Sequence, residues 1–263
     1  MTALDAQTGA TIWQQLDLCP SNVSHPAVAD GLLYVGDLQG NKLCAFDAQT
    51  GALRWTFAAS GRVDSSPAVS GGLVYFGSFT FAGEGGALYA LDAQTGALRW
   101  QYVTGAVTPS SPSVAGGVVY VPSRDGLLAL DAVTGALKWS AAVGPGSWST
   151  PAVAEGTVYY QNAVGTVNAL DAATGAVRWS FDTTSGDNIP APAVANGVVY
   201  ARNYALDAQT GAVRWLCQCN GTPVVAGGTL YNSTTQSGDV VFAFQNVRST
   251  AFFPLVLRGA VAW

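Results

Sequence analysis

The sequence predicts an all-β fold, a seven-bladed β-propeller of four-stranded antiparallel blades. Three observations carry this prediction: two phrases recur along the 263 residues, they alternate, and their spacing is regular. A period of about 40 residues with strand-type composition is the signature of a propeller with one blade per repeat. Seven such repeats account for the whole chain, so we expect residues 1–263 to form a single domain.

The first phrase has the form Leu-Asp-Ala-x-Thr-Gly-Ala-x-x-Trp, with Phe replacing Leu once. Its six copies begin at Leu4, Phe46, Leu91, Leu130, Leu170 and Leu206. The aspartates, at positions 5, 47, 92, 131, 171 and 207, are therefore 42, 45, 39, 40 and 36 residues apart. Six near-identical copies exclude coincidence.

Each residue of this phrase has a physical role. The Asp side chain can accept hydrogen bonds from backbone N–H groups two or three residues on, and Gly supplies a positive φ for the turn. The Trp then lies on a blade face and fills the gap against the neighbouring blade, where burial contributes at most about 4–6 kcal/mol. Alternation along the strand turns the preceding basic residue towards water. These basic residues are Arg54, Arg99, Lys138, Arg178 and Arg214.

The second phrase reads Pro-Ala-Val, then a turn with Gly, then Val-Tyr, with variations. Its prolines stand at positions 26, 67, 112, 151, 192, 223 and 254. Each copy predicts a short strand, a hairpin and a longer strand. One blade then contains two strands from this phrase and two from the first.

The chain begins in mid-repeat and ends on half of the second phrase. We therefore expect residues 1–18 and 252–263 to share blade seven, which would remove exposed sheet edges. The other blades are predicted at about 22–57, 63–102, 108–141, 147–181, 188–217 and 221–250. Blade five must have a clipped middle hairpin, and blade six lacks the Asp-x-x-Thr-Gly segment and its Trp.

The composition argues against two classes of function, nucleic-acid binding and membrane spanning. A net charge of −5 and 10% charged residues argue against nucleic-acid binding, which needs a clustered basic face. The longest apolar stretch, residues 251–263, is interrupted by Pro254 and Arg258 and is too short to span a bilayer. We expect a monomer that does not span the membrane. No signal peptide is visible, but a chain that begins inside a repeat says little about export.

Four cysteines, Cys19, Cys44, Cys217 and Cys219, lack the spacing of a metal finger. Cys44 occupies the position of Tyr89 in the next repeat, which favours a small buried residue. A Cys19–Cys44 disulfide is the alternative, because the two lie in adjacent predicted blades. Cys217 and Cys219 would face the same side of a strand. The cysteine count leaves the redox compartment open.

Together the two phrases resemble the PQQ-type β-propeller repeat, in which Ala-Leu-Asp-x-x-Thr-Gly-x-x-x-Trp is the tryptophan-docking motif. The resemblance covers nearly the whole chain and is degenerate only over residues 221–253. It implies docking between blades by six tryptophans: Trp13, Trp55, Trp100, Trp139, Trp179 and Trp215. The family contains quinoprotein dehydrogenases that hold PQQ and Ca²⁺, a non-catalytic BamB-like branch, and sensor domains of receptor kinases.

The dehydrogenase branch fits poorly. Many of its members carry a disulfide between adjacent cysteines, whereas Gln218 separates the close pair in this chain. No carboxylate can be matched to the calcium ligands of that branch. We therefore expect no cofactor, no metal and no catalytic residue. The chain is predicted to be an extracytoplasmic, periplasmic or cell-surface scaffold that binds a protein partner. The alternative is a PQQ/Ca²⁺-dependent dehydrogenase, or a degenerate relative that holds a small ligand in the central channel.

Two groups of residues are candidates for a site. Ser and Thr precede most of the Pro-Ala-Val segments, and His25, the single histidine, stands in this series. A Ser–His–Asp relay would use His25 with Asp64, although hydroxyls before Pro more often satisfy local backbone. The loops after the Val-Tyr strands vary, and Arg124, Asp125, Arg202 and Asn203 are predicted partner contacts. Trp148 lies in a Gly-rich loop as an interface anchor, or packs over the channel.

Overall fold

The fold is given by a computed structural model. It describes residues 1–15, 18–19, 24–80, 86–105, 111–147, 149–183, 190–216, 222–226, 229–233, 241–245 and 255–256. Within these residues there are 26 strands in seven antiparallel sheets and no helix. The chain divides into two compact units, Met1–Ser140 and Ala141–Trp263.

The first unit contains one two-stranded and three four-stranded sheets. The two-stranded sheet pairs β1 (Thr2–Leu4) with β2 (Thr11–Gln14). Sheet one holds β3 (Ala27–Ala29), β4 (Leu32–Asp37), β5 (Lys42–Asp47) and β6 (Leu53–Ala58). Sheet two holds β7 (Ala68–Ser70), β8 (Leu73–Ser78), β9 (Ala87–Asp92) and β10 (Leu98–Val103). Sheet three holds β11 (Ser113–Ala115), β12 (Val118–Ser123), β13 (Gly126–Asp131) and β14 (Leu137–Ala141).

The second unit contains three four-stranded sheets. Sheet four holds β15 (Ala152–Ala154), β16 (Thr157–Gln161), β17 (Thr166–Asp171) and β18 (Val177–Asp182). Sheet five holds β19 (Ala193–Ala195), β20 (Val198–Ala201), β21 (Tyr204–Asp207) and β22 (Val213–Leu216). Sheet six holds β23 (Val224–Ala226), β24 (Thr229–Ser233), β25 (Val241–Gln245) and β26 (Leu255–Val256).

Every four-stranded sheet is a meander in which consecutive strands are neighbours. Within each unit, the first strand of one four-stranded sheet lies beside the first strand of the next, as β3 does with β7 and β15 with β19. The predicted blade of four antiparallel strands is confirmed for six sheets. The clipped hairpin of blade five is also confirmed, because β20 and β21 have four residues each and Ala201 pairs with Tyr204.

The C-terminal strand differs from the prediction. Residues 252–263 were expected in the same blade as residues 1–18, but Leu255 and Val256 pair with Ala243 and Phe242 in sheet six. Sheet six lacks the Leu-Arg-Trp strand that covers the third strand elsewhere, so β25 would otherwise expose an unpaired edge. The rest of 252–263 lies outside the described residues. Closure of blade seven by both termini stays a prediction.

The repeated turn is the predicted Asx turn. Asp92 Oδ1 accepts hydrogen bonds from Thr95 N at 2.9 Å, Thr95 Oγ1 at 2.9 Å and Gln94 N at 3.2 Å. Gly96 follows with φ 73°. The same bonds recur around Asp5, Asp47, Asp131, Asp171 and Asp207.

The basic residue before each Trp also bonds to this turn, which the sequence interpretation missed. Arg99 Nη2 lies 2.8 Å from Asp92 Oδ2, and this bond, followed by those from Thr95, lowers the pKa of Asp92 to about 2. The other pairs are Arg54–Asp47, Lys138–Asp131, Arg178–Asp171 and Arg214–Asp207. The basic side chains are largely exposed, as predicted, so solvent screens each pair and its contribution to stability is small.

The tryptophans dock on the next sheet. Trp55 Nε1 donates to Ala93 O at 3.1 Å, and the Tyr34 hydroxyl donates to the same oxygen at 3.2 Å. A Cβ added to Gly96 would lie 2.7 Å from the Trp55 ring, so only glycine fits beneath the indole. Equivalent bonds join Trp13 to Ala48, Trp100 to Ala132 and Trp179 to Ala208. Trp139 and Trp215 pack against Tyr120 and Tyr200 of their own sheets.

A disulfide joins Cys19 to Cys44, the pairing that the sequence left as an alternative. Cys44 is fully buried on β5, where Val35 and Phe46 form a cluster with it. The bond therefore ties the segment that follows the two-stranded sheet to sheet one. Cys217 and Cys219 lie outside the described residues.

We expect Gly96→Ala to destabilise the protein by about 3 kcal/mol, because the new methyl group meets both a positive φ and the Trp55 ring. Gly9→Ala is the matched control, since Gly9 has φ 71° but nothing within 4 Å of the added Cβ. It should cost only about 1 kcal/mol. Urea unfolding of both variants measures the difference, and equal losses would contradict the docking role of the glycine.

Reduction of the Cys19–Cys44 disulfide should lower the free energy of unfolding by about 3 kcal/mol, because it frees a loop that spans 25 residues of sequence separation. Unfolding curves with and without reductant measure this loss. The double variant Cys19→Ala/Cys44→Ala should not respond to reductant. A wild-type curve that reductant leaves unchanged would show that the bond contributes no stability.

Candidate functional site

The serines before the first strands bond to their own sheets. Ser24 Oγ accepts from Gly36 N at 2.8 Å. Ser65 Oγ accepts from Gly77 N at 2.8 Å and donates to Gly77 O at 2.9 Å. Both serines are buried. The hydroxyls of Ser24 and Ser65 therefore tie the approach to the first strand to the second strand, which agrees with the structural interpretation of these two positions.

A second row of hydroxyls links neighbouring sheets in the first unit. His25 N donates to Ser66 Oγ at 3.0 Å, and Ser66 N donates to Ser111 Oγ at 2.8 Å. The His25 ring is exposed, with Nδ1 3.3 Å from Ser66 Oγ. The structure therefore brings His25, Ser66 and Ser111 together across three sheets.

Asp64, the predicted orienting carboxylate, is half-buried beside this row. Its Oδ1 is buried and has no hydrogen-bond partner. Burial raises the pKa of Asp64 to about 6, although a backbone hydrogen bond and the charge of Arg62 oppose the shift. A Ser–His–Asp relay requires a carboxylate on the second ring nitrogen of the histidine. No described hydrogen bond connects Asp64 to His25.

Sheet four uses a serine that the sequence interpretation did not select. Ser147 N donates to the Tyr160 hydroxyl at 2.9 Å, and Ser147 Oγ bonds to Gln161 O. Ser149 N donates to Ser147 Oγ at 3.2 Å, while Ser149 Oγ is buried without a partner. Ser147 lies two residues earlier than the position that the repeat frame indicates, so alignment alone could not find it. Trp148 lies outside the described residues.

The predicted loop contacts occupy two-residue turns between second and third strands. Arg124 and Asp125 join β12 to β13 and are exposed. Arg202 and Asn203 join β20 to β21 and are partly buried, with Arg202 at φ 52°. A left-handed arginine costs about 1 kcal/mol, and such outliers concentrate at functional positions.

The described residues contain no group of three or more His, Cys, Asp and Glu side chains that could hold a metal ion. In the same part of the chain, no helix has the length and apolarity needed to cross a bilayer.

Asp64→Asn should change how stability depends on pH. The carboxyl of Asp64 has a pKa of about 6 in the fold against 3.8 as the ordinary value, so the folded state holds the proton more tightly. Its contribution to stability is present at low pH and is lost as pH rises from about 4 to about 6. The variant should gain stability relative to wild type between these pH values.

Urea unfolding of both proteins at about pH 4 and about pH 7 measures this difference. The aspartates of the repeated turns titrate in both proteins, so their effect cancels. If the free energies of unfolding of wild type and Asp64→Asn differ by the same amount at both pH values, the burial of an ionisable Asp64 is contradicted.

The chain matches the family model described as outer membrane protein assembly factor BamB, over residues 1–145 and 105–252. No curated protein matches it. Among solved structures, BamB from Moraxella catarrhalis is similar with a TM-score of 0.78 and 22% identity, covering 93% of this chain and 78% of that chain.

Two enzymes share the fold. Quinohemoprotein alcohol dehydrogenase from Comamonas testosteroni has a TM-score of 0.74 and 16% identity, covering 93% of this chain and 62% of that chain. A quinohemoprotein alcohol dehydrogenase from Pseudomonas putida HK5 has a TM-score of 0.64 and 18% identity, covering 95% of this chain and 50% of that chain. This chain therefore spans less than two thirds of either dehydrogenase.

The solved structures agree with the predicted fold class, and at these identities they carry information on fold alone. The family match is broader, because it runs through residues 1–252 of the 263. The chain belongs to the family of the outer membrane protein assembly factor BamB, and its sheets are the blades of a β-propeller.

Proposed function

We propose that this chain is a non-catalytic scaffold outside the cytoplasm, which binds protein partners during assembly of the outer membrane. Membership of the BamB family supports the proposal. The observation that carries it is how the polar side chains of the repeat are used. The turn aspartates bond to their own turns and the serines bond to neighbouring backbone, so these groups serve the fold.

The candidate residues for partner contact lie at the turns after the second strands. Arg124 and Asp125 in the first unit, and Arg202 and Asn203 in the second, place charged and amide groups on short, regular turns. Surface turns held by a rigid frame are the usual carriers of recognition. Charged groups in such positions favour partners of complementary charge and raise association rates.

The disulfide supports a location outside the cytoplasm. Disulfides persist in oxidising compartments such as the bacterial periplasm and are rare where thiols are kept reduced. The bond between Cys19 and Cys44 therefore fits a periplasmic or cell-surface protein.

An enzyme is the competing hypothesis, because the dehydrogenases share the fold. Fold alone is weak support for an activity. In the described residues His25 contacts a serine without a carboxylate, and no metal-donor cluster is present. The scaffold hypothesis therefore accounts for more of the observed geometry.

Immobilised full-length protein should capture outer-membrane assembly proteins from detergent-solubilised outer membranes, identified by mass spectrometry. We expect the double variant Arg124→Gln/Asp125→Asn to retain roughly a tenth of the captured protein, since it loses both charges of the exposed turn between β12 and β13. Arg54→Gln is the matched control, because Arg54 is 56% exposed on a fourth strand and its ion pair is 3.8 Å long.

Two results would argue against the scaffold role. One is capture that the double variant leaves unchanged. The other is saturable, dye-linked alcohol oxidation after addition of PQQ and Ca²⁺, which would favour the enzyme.

A further inference from the structure

A cavity of about 400 Å³ opens between sheets four and five, within the second unit. It lies beside the hairpin that joins β15 to β16 and the Asx turn that follows β21. Its charged lining residues are Glu155, Arg178, Asp207 and Arg214, and Thr157, Tyr159 and Gln209 add polar groups. A volume of this size accommodates a side chain or a small molecule.

Two of the lining residues depart from the pattern of the other blades. The hairpin between first and second strands is a two-residue turn with both φ positive, a geometry that favours Asn, Asp and Gly. Asp30, Gly71, Gly116 and Asn196 occupy the first turn position in sheets one, two, three and five. Sheet four has Glu155 there, with φ 48°.

The second departure is Thr157, the first residue of β16. Leu32, Leu73, Val118 and Val198 occupy this position in the same four sheets, and sheet six has Thr229. Thr157 is only 3% exposed, and its Oγ1 accepts a hydrogen bond from Arg178 Nη1 at 2.6 Å. Sheet four thus combines a polar residue at the base of the cavity with a carboxylate at its rim.

Each arginine of the cavity lining already has an aspartate partner. Arg178 Nη2 lies 2.7 Å from Asp171 Oδ2, which is outside the lining, and Arg214 Nη2 lies 2.6 Å from Asp207 Oδ2. Glu155 makes no ion pair within the described residues and is exposed to solvent. The two carboxylates and two guanidinium groups of the lining balance in number, and Glu155 is the lining carboxylate that has no ion-pair partner in the described residues.

The corresponding position between sheets one and two lacks these two polar substitutions. There Gln94 Nε2 reaches the carbonyl oxygen of Asp30 at 3.4 Å and bridges the turns of the two sheets. Gln209 is the counterpart of Gln94, and it lines the open cavity instead. The corresponding turns are therefore bridged between sheets one and two, whereas a cavity lies beside them between sheets four and five.

We propose that this cavity binds the basic side chain, lysine or arginine, of a protein partner, with Glu155 as its counter-charge and Thr157 at its base. The inference rests on the proposed scaffold function and names a recognition site for it. A cationic group satisfies the unpaired carboxylate without displacing either arginine from its aspartate. An anion would have to compete with Asp171 and Asp207 at distances below 3 Å.

The test uses the full chain and the probe N-acetyl-arginine methylamide, followed by ¹⁵N–¹H correlation spectra. We expect saturable shifts confined to the amides of residues 155–157, 197 and 207–209. N-acetyl-citrulline methylamide, which has the same shape without the charge, should cause none. Glu155→Asn should weaken binding about tenfold, because a charge-assisted contact is lost.

Two variants introduce residue types that other sheets already carry at the equivalent position, so they distinguish a loss of binding from misfolding. Glu155→Asn reproduces the turn of sheet five, where Asn196 has φ 52°, so the fold should be unharmed. Thr157→Leu reproduces Leu32 and Leu73 and should close the base of the cavity, which abolishes the shifts. Asp30→Asn makes the same kind of change at φ 49° in sheet one and should leave binding unaltered.

Shifts that are absent, that lie elsewhere, or that persist in Glu155→Asn would overturn the proposed site. Failure here together with successful partner capture would leave the scaffold function standing without this site. If the probe binds but partner capture fails, the proposed cation site is supported and the proposed scaffold function is contradicted.

Discussion

The packing of one indole on one glycine is the contact on which the rest of this structure depends. Each docked Trp places its ring where a side chain of the next sheet would otherwise lie, and its N–H reaches an alanine carbonyl three residues before that glycine. The tyrosine of the same sheet bonds to the same carbonyl in three of these cases. A glycine is therefore required twice, by the positive φ of the turn and by the ring above it.

This contact explains why the phrase varies so little. Asp and Thr hold the turn in the shape that presents both the alanine carbonyl and the glycine. The basic residue before the Trp donates a hydrogen bond to the second carboxylate oxygen of the Asp. At the opposite end of the strands, serines before the first strands accept hydrogen bonds from the backbone of the second strands. Most polar groups of the repeat are thereby consumed by the fold, and recognition is left to positions where the repeat is broken.

Breaks in the repeat fall into two kinds. At Arg202 and Asn203 the hairpin is shortened to strands of four residues, and the arginine adopts a left-handed conformation. At Glu155 and Thr157 the length is kept, but a turn former and an aliphatic residue are replaced by polar ones, and a cavity results. Substitutions of this kind lower local stability or leave space unfilled, so they are the natural places to look for partner contacts.

The sequence alone determined the four-stranded blade, the strand order, the Asx turns and the role of the docking tryptophans, because each depends on local hydrogen bonding and a period of about 40 residues. Only the tertiary structure decided the rest. Cys19 and Cys44 pair because separate segments meet, β26 joins sheet six because β25 has a free edge, and Ser147 acts in place of Ser149. Asp64 and the cavity at Glu155 likewise depend on neighbours that no local pattern encodes.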